Sequence, residues 1–430
     1  MWPKDYREQS IMNNIIPIGG FWGPVRNNNS PYIGALDNLI TDEVYSLIKE
    51  LGINFISYIE RDFEADTDEV VENLRMSEKY GIGLYVRDSK ITNEMTDKEM
   101  KSRIAQYSGY KSFRGITVCD EPGCDAYAIK SPHIDTFNKI ASEINNSGNM
   151  SAYVNLFPKF GKYDDLDAAY DSYVEEYLST CSPKFISYDY YPFLDAQTNE
   201  TCTEYFEHLK FFSSKSKKYG IPFFPFVEVG GYFWIAEEPF DQQIPTYGQM
   251  LWNVNNCIAF GAKGIQYFPL IQPIYFGVVD KKTQDFDRMG LIADNGKPTK
   301  WYAPVKAAND WLISIQDIIM QTQHLTVLAK GTIPQKIAAI DCESDAGILN
   351  SMITENDEYG AIVGVMRLNG NPAYYVVNYD YENDQNITLK FEKKYDITLY
   401  SQNSNTKRTA DTECSFTLKP GCASLVLLKE

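Results

Sequence analysis

With 430 residues, 58 Asp and Glu against 40 Lys and Arg, and a formal net charge of −18, the chain would repel a polyanion, which excludes nucleic acid as a partner. The length suffices for a large domain with ample core plus a smaller one, and no apolar run approaches the ~20 residues that span a bilayer, the best candidate near 221–236 being broken by Pro, Gly and Glu228. Three histidines (His133, His208, His324) in no metal-holding spacing disfavour Ser-His-Asp and Cys-His nucleophile systems and metal-dependent hydrolases, and eight cysteines without a Cys-x-x-Cys pair, Cys119 and Cys124 standing closest, read as buried hydrophobes or free thiols.

A strand-then-helix alternation repeats eight times. Strands are predicted at 15–21, 54–60, 83–87, 115–119, 151–157, 185–191, 223–228 and 264–268. After the first, Thr41 caps a helix whose first turn holds Asp42 and Glu43 and whose apolar stripe is Val44, Leu47, Ile48 and Leu51, spaced i, i+3, i+4, i+7. Tyr170, Tyr173, Val174, Tyr177 and Leu178 repeat that stripe, and Gly52, Gly81, Gly220 and Gly261 each stop a helix just before a strand. Short strands alternating with helices define an α/β chain with a parallel sheet, and eight such units predict a closed (β/α)8 TIM barrel. No Gly-x-Gly-x-x-Gly follows the first strand, which weighs against a dinucleotide fold.

Beyond a last helix near 301–319 the texture changes to short β-rich runs at 336–340, 360–367, 373–379, 387–391, 397–400, 415–418 and 423–428. Period-two alternation with Asn-Gly and Pro-Gly punctuation predicts a smaller all-β antiparallel sandwich. The expected division is 1–322 for the barrel and 323–430 for the sandwich, packed directly on each other because no long linker separates them.

Two segments carry the chemistry: Phe113-Arg-Gly-Ile-Thr-Val-Cys-Asp-Glu-Pro-Gly123 and Ile221-Pro-Phe-Phe-Pro-Phe-Val-Glu-Val-Gly-Gly231. Each reads as a buried strand ending on a glutamate and stopped at once by Pro or Gly. Reactive groups of such a barrel sit at the carboxyl ends of its strands, so Glu121, on the fourth, and Glu228, on the seventh, should face one crater. Two facing carboxyl groups are the minimum equipment for cutting a glycosidic bond. A lone strand-end glutamate is more often a salt-bridge or capping partner. Two at matched ends, with almost no histidine competing, favour catalysis.

This placement resembles the clan A retaining glycoside hydrolases over about the first three-quarters of the chain, and a C-terminal β-sandwich is a frequent companion there. The resemblance implies a carbohydrate substrate, no cofactor and no metal, with Glu121 as general acid/base and Glu228 as nucleophile. It also implies that a tyrosine of Tyr188-Asp189-Tyr190-Tyr191 hydrogen-bonds the nucleophile, with Tyr190 and Tyr191 the candidates. One departure is Asp120, where the family usually has an Asn contacting the sugar 2-substituent; a carboxylate only accepts. The adjacent Asp-Glu pair also resembles the substrate-assisted N-acetylhexosaminidases, in which Asp120 would orient an acetamido nucleophile and Glu228 would only bind. A non-catalytic carbohydrate-binding barrel is the third reading.

Further substrate-binding candidates are Trp22, Arg61, Asn155, Asp189, Trp234 and Gln266. Trp22 and Trp234 are sugar platforms or packed indoles. Arg61 would hold Glu228 ionised by a bidentate contact, or pair with Asp62 or Glu64. Asn155 and Gln266 are polar groups inside apolar runs, for hydroxyl recognition or core satisfaction alike, and Arg87 and Asp88 are expected to pair with each other. A Schiff-base aldolase is disfavoured because no Lys ends a strand, Lys263 lying at the opposite end of the eighth. No Gly-rich phosphate loop follows the late strands, against sugar-phosphate isomerases. The Met-Trp-Pro-Lys start is no signal peptide. An enzyme that degrades polymers meets its substrate outside the cell, so the expectation is a secreted, periplasmic or surface protein whose export signal lies outside this sequence, and otherwise a cytoplasmic one.

Overall fold

The structure is a computed structural model, which describes residues 14–26, 34–58, 67–88, 90–92, 94–122, 139–141, 151–159, 166–193, 199–229, 245–272, 278–279, 286–287, 290–331, 338–339, 348–402 and 404–430. Eight parallel strands close into a barrel in chain order: β1 (Ile18–Phe21), β2 (Phe55–Tyr58), β3 (Gly83–Arg87), β4 (Phe113–Asp120), β5 (Ser151–Leu156), β6 (Ile186–Tyr188), β7 (Phe223–Glu228) and β8 (Ile265–Phe268), with β8 pairing back to β1. Around them run α1 (Asp42–Glu50), α2 (Thr67–Tyr80), α3 (Asp97–Ser108), α4 (Leu166–Cys181), α5 (Asn199–Tyr219), α6 (Tyr247–Ala259) and α7 (Tyr302–Ile319). Thr41 caps α1 as its sequence requires, its hydroxyl accepting from the Val44 N–H, and Gly52, Gly81, Gly220 and Gly261 all take positive φ at their helix ends. The Arg61, Trp234, His133 and Cys124 positions lie outside the described residues. Among the described residues no helix is long and apolar enough to cross a membrane.

Aromatic side chains plug the barrel below the crater. Phe55, Tyr85, Tyr153, Phe185 and Phe224 form a contiguous ring cluster, with Phe185 and Phe224 stacked at 4.8 Å and Tyr85 and Tyr153 at 5.4 Å. Space for it comes from the backbone: a Cβ on Gly19 would stand 2.3 Å from the Phe55 ring. Carried once round the barrel, the strand register returns displaced by about eight residues, the stagger of an eight-stranded barrel of this kind.

A short antiparallel pair, β9 (Val278–Val279) and β10 (Phe286–Asp287), follows β8. After α7 come β11 (Gln323–Lys330), β12 (Ala338–Ala339), β13 (Leu349–Thr354), β14 (Ala361–Leu368), β15 (Asn371–Asn378), β16 (Gln385–Ser401), β17 (Ser404–Leu418) and β18 (Ala423–Lys429). Apart from the parallel β11–β12 pair these strands run antiparallel, in the order β12-β11-β14-β15-β18-β16-β13 with β17 on β16. The 17-residue β16 pairs with β13 through its first half and with β18 through its second, and the pairing slips between Lys390 and Tyr395. That irregularity lets one strand path curl around its own core of Val363, Tyr374, Leu389, Leu399 and Val426. The other face, with Ile362, Tyr375, Val377 and Leu425, merges with the barrel core. The Tyr375 hydroxyl donates to Asn255 on α6 at 2.7 Å and accepts from the Trp311 indole on α7 at 2.9 Å, so the joint is polar-anchored as well as apolar.

Candidate active site

Every carboxyl of interest sits at the carboxyl-terminal end of a barrel strand. Asp120 closes β4, Glu121 follows it, Asp189 follows β6 and Glu228 closes β7. Strand register runs Asp120–Asn155–Ser187–Phe224 across β4 to β7. Stagger in such a barrel is about one residue per strand. Three strands on, the residue level with Glu121 is therefore about three beyond its register row, which is Glu228. The two glutamates stand at one height on one rim.

Strand alternation would send adjacent side chains to opposite faces. Glu121 escapes this because its φ is +48°, in the left-handed region. For a non-glycine residue that costs roughly 1–2 kcal/mol, and its amide is held there by the Asn155 carbonyl at 2.8 Å. A slip in the β4–β5 register between Thr117 and Cys119 lies just before it and re-aims the strand end as bulges do. Asp120 and Glu121 thereby join one cluster.

Within that cluster Asn155 donates from its amide nitrogen to Asp189 at 2.8 Å and to Asp120 at 3.2 Å. Its oxygen accepts from the Ser187 hydroxyl at 2.9 Å. The Asp189 and Glu121 carboxyls lie close enough for each to shift the other's ionisation. Beneath, Gln266 donates to Ser187 at 2.8 Å and to the Phe224 carbonyl at 3.1 Å and accepts from Tyr153 at 2.9 Å. Gln266 is fully buried and Asn155 nearly so. Both amide nitrogens thus spend their donors within the barrel interior, and each amide oxygen accepts one bond there.

Environment separates the acids. Asp189 is buried, and burial, then the Glu121 and Asp120 charges, push its pKa well above the usual carboxylate range. Asp120 is solvent-accessible yet lies deep among protein atoms, as a side chain on a crater floor does. Burial and the Glu121 charge lift it to about 7, against the Asn155 hydrogen bond and the Arg87 cation. Glu121, half-buried, is raised by burial and drawn back by the neighbouring Asp189.

Glu228 is drier than sequence reasoning foresaw. It is 1 % exposed, and its Oε2 accepts from the Phe193 N–H at 3.3 Å. Among the described residues its Oε1 has no hydrogen-bond partner. Burial drives its pKa well above the carboxylate range, with only the Phe193 N–H opposing. No member of the Asp120–Glu121–Asp189 group enters into that rise.

Tyr190 turns away from the crater. Ser187 and Asp189 point inward, so alternation sends Tyr190 outward, where its hydroxyl donates to Glu204 on α5 at 2.8 Å and its ring lies 4.5 Å from His208. This corrects its candidacy as a substrate or nucleophile contact. Tyr191 returns to the inner side and packs 5.9 Å from Phe268, the β8 register partner of Glu228. Trp22, half-buried after β1 with φ +64°, lies 4.7 Å from the same ring. Trp22, Phe268 and Tyr191 make a partly exposed aromatic wall beside Glu228, suited to stacking on a sugar ring. Phe268 is the member missed in sequence, although it stands two residues from the inward Gln266 and so shares its face. The expected Arg87–Asp88 pair does not form: Asp88 binds Arg103 at 2.5 Å and Tyr107 at 2.6 Å, while Arg87 donates to the Val118 carbonyl. Neighbours in a strand face opposite ways.

No family model matches the chain, and no curated protein sequence matches it. Solved structures do. A catalytic mutant of Gan42B, a GH42 β-galactosidase from G. stearothermophilus, is similar over 97% of this chain and 98% of that one, at 9% identity and TM-score 0.56. A GH30 endoxylanase from Clostridium papyrosolvens C71 matches over 97% of each chain at 10% identity and TM-score 0.49. A family 5 glycoside hydrolase from Bacteroides vulgatus ATCC 8482 matches over 96% of this chain and 89% of that one, at 10% identity and TM-score 0.47. At such identities the likeness is one of fold, and the GH42 match alone among these three is close enough to weigh. What the chain shares with the GH42 structure is its fold, here a closed eight-stranded parallel barrel followed by a curled antiparallel sheet domain.

Proposed function

We propose that this protein is a glycoside hydrolase in which Glu121 is the general acid/base and Glu228 the nucleophile of a retaining double displacement. The observation that carries the reading is Glu121 itself, turned out of strand alternation by a left-handed φ so that its carboxyl meets the crater. Strain of that kind collects at working sites. Support also comes from the level of Glu228 on the same rim and from the aromatic wall beside it. In the first step Glu121 gives its proton to the glycosidic oxygen as that bond breaks, and a Glu228 oxygen bonds the anomeric carbon. In the second, Glu121 takes a proton from water, whose oxygen replaces Glu228.

This reading makes a demand on Glu228. Its attack requires the carboxylate, and its dry seat favours the acid, so activity falls as pH drops through a raised pKa. The acidic limb of kcat/KM then stands well above the ordinary carboxylate range. The substrate-assisted alternative has an observation of its own: Asp120 meets solvent on the crater floor whereas Glu228 does not. Labelling with a panel of 2-fluoro glycosyl fluorides and peptide mass mapping separates them. An adduct on Glu228 supports double displacement. Silence across the panel with inhibition by a thiazoline supports the substrate-assisted route with Asp120, and failure to release any reducing end leaves a carbohydrate-binding barrel.

A further inference from the structure

We propose that Asp189 is a positioning residue for Glu121, a neutral carboxylic acid whose O–H donates to the Glu121 carboxyl throughout the reaction. The proposal rests on Glu121 being the acid/base. Three features of geometry carry it. Asn155 bridges the two residues, donating to the Asp189 carboxyl at 2.8 Å and accepting from the Glu121 amide at 2.8 Å, so the two carboxyls are neighbours, and two carboxyls sharing a site favour a proton between them. Asp189 is the more buried of the two, 5% exposed against a half-buried Glu121, so the proton stays on Asp189. Asn155 then fixes which oxygen is which. Its amide nitrogen donates to Asp189 Oδ1 at 2.8 Å, which makes that oxygen an acceptor, and the proposed hydrogen sits on Oδ2. The Asn155 carbonyl holds the Glu121 amide at 2.8 Å, so one residue aligns both partners.

When Glu121 delivers its proton to the leaving oxygen, the carboxylate left behind keeps the Asp189 O–H bond, now charge-assisted and roughly twice as strong. The hydrogen bond therefore favours the charged form of Glu121 and opposes the rise that burial brings. A group that must be acid in one step and base in the next works best with a pKa near the operating pH. Among the described residues, the charged and titratable groups facing the pair are Asp120 and Cys119 on β4, Arg87 on β3, Tyr153 on β5, Tyr188 on β6 and Tyr173 on α4. Burial holds all three tyrosines neutral, and the Arg87 cation acts on Asp120. Among the described residues this leaves Asp120, raised to about 7, as a neighbour that changes charge near neutrality.

The test compares Asp189→Asn and Asp189→Leu by the pH profile of kcat/KM, with aryl glycosides of poor and good leaving groups. Asparagine is also a neutral donor. Asp189→Asn should keep the basic limb, which reports protonated Glu121, within about 0.3 pH unit of wild type. Leucine removes the donor, so the limb should move to higher pH, and kcat/KM on poor leaving groups should fall about 10- to 100-fold with little change on good ones. If Asp189 were instead an ionised neighbour, Asp189→Asn would move the limb to lower pH; that result, or an unmoved limb in Asp189→Leu, overturns the proposal. Should the leucine variant not fold, the direction seen with asparagine decides alone. Glu121→Gln run in parallel keeps the two readings apart: without a selective loss on poor leaving groups, the acid/base assignment fails whatever Asp189 does.

Discussion

Asn155→Leu isolates the cost of gathering carboxyls on one barrel rim. Leucine has a similar volume and none of the amide's three contacts: donation to Asp189 at 2.8 Å and Asp120 at 3.2 Å, and acceptance from Ser187 at 2.9 Å. Between neutral groups each is worth about 1 kcal/mol, so about 3 kcal/mol is lost at any pH. A second loss depends on ionisation. A hydrogen bond to a charged partner exceeds one to a neutral partner by about 1 kcal/mol, and the solvent access of Asp120 holds the gain to that lower end. Asp120 has a folded pKa of about 7 against an ordinary 3.8. A carboxyl raised on folding contributes stability that is full below its unfolded pKa and is lost as pH climbs through the folded value. Asn155 opposes the rise, so its removal widens the gap and steepens that loss. Urea unfolding should show a deficit of about 3 kcal/mol near pH 5 growing to about 4 kcal/mol near pH 8. An equal deficit at both values, or a larger one in acid, would mean that the amide does not solvate an ionising Asp120.

Two further outcomes follow from neighbouring contacts. Tyr190→Phe removes the outward bond to Glu204, so kcat should stay within about twofold while stability falls by about 1 kcal/mol. Tyr191→Ala, by contrast, strips the aromatic wall beside Phe268 and should raise KM about tenfold, in line with the worth of an aromatic contact; steady-state kinetics on both variants tests the inward–outward assignment. Lys263 donates at 2.5 to 3.0 Å to the Ile319 carbonyl and to the carbonyl and hydroxyl of Thr322, yet burial lowers its pKa from 10.5 to about 7. A depressed base gives stability complete above its unfolded pKa and lost as pH falls toward the folded one. Lys263→Met has no such slope, so calorimetry should find its deficit widest near pH 10 and narrowing toward pH 7.

The barrel was legible because its strands are covered on both faces. Such strands read as continuous apolar runs, and Phe223–Glu228 is preceded directly by Pro222 and followed, after Val229, by Gly230. Glu121 and Glu228 were findable for the same reason, as acids where the run stops. Which tyrosine faces inward was also within reach: counting by twos from Ser187 gives Asp189 and Tyr191, and the same count from Gln266 gives Phe268. The nearness of Asp189 to Glu121 was not, because it joins strands two apart and depends on barrel stagger together with a left-handed φ at a residue type that seldom adopts one. Nor could sequence show that Glu228 has so few donors, since donors converge on a carboxyl in space and leave no spacing behind.

Strand position alone cannot tell Glu121 from Asp120, because Asp120 closes β4, Glu121 follows it and both reach the cluster. Solvent access and donor supply can. Asp189 and Glu228 are buried, and their protons are hard to remove. Asp120 meets water, but its one side-chain donor, Asn155, is divided between it and Asp189. Of these four acids, Glu121 combines partial exposure with the neighbouring Asp189, which on the proposed reading favours its charged form. A residue that both releases and recovers a proton needs that combination, water or substrate on one side and a fixed donor on the other. On the proposed reading, then, the left-handed turn at Glu121 earns its conformational cost by exchanging an outward position in the barrel wall for one where a neutral acid can hold its carboxylate.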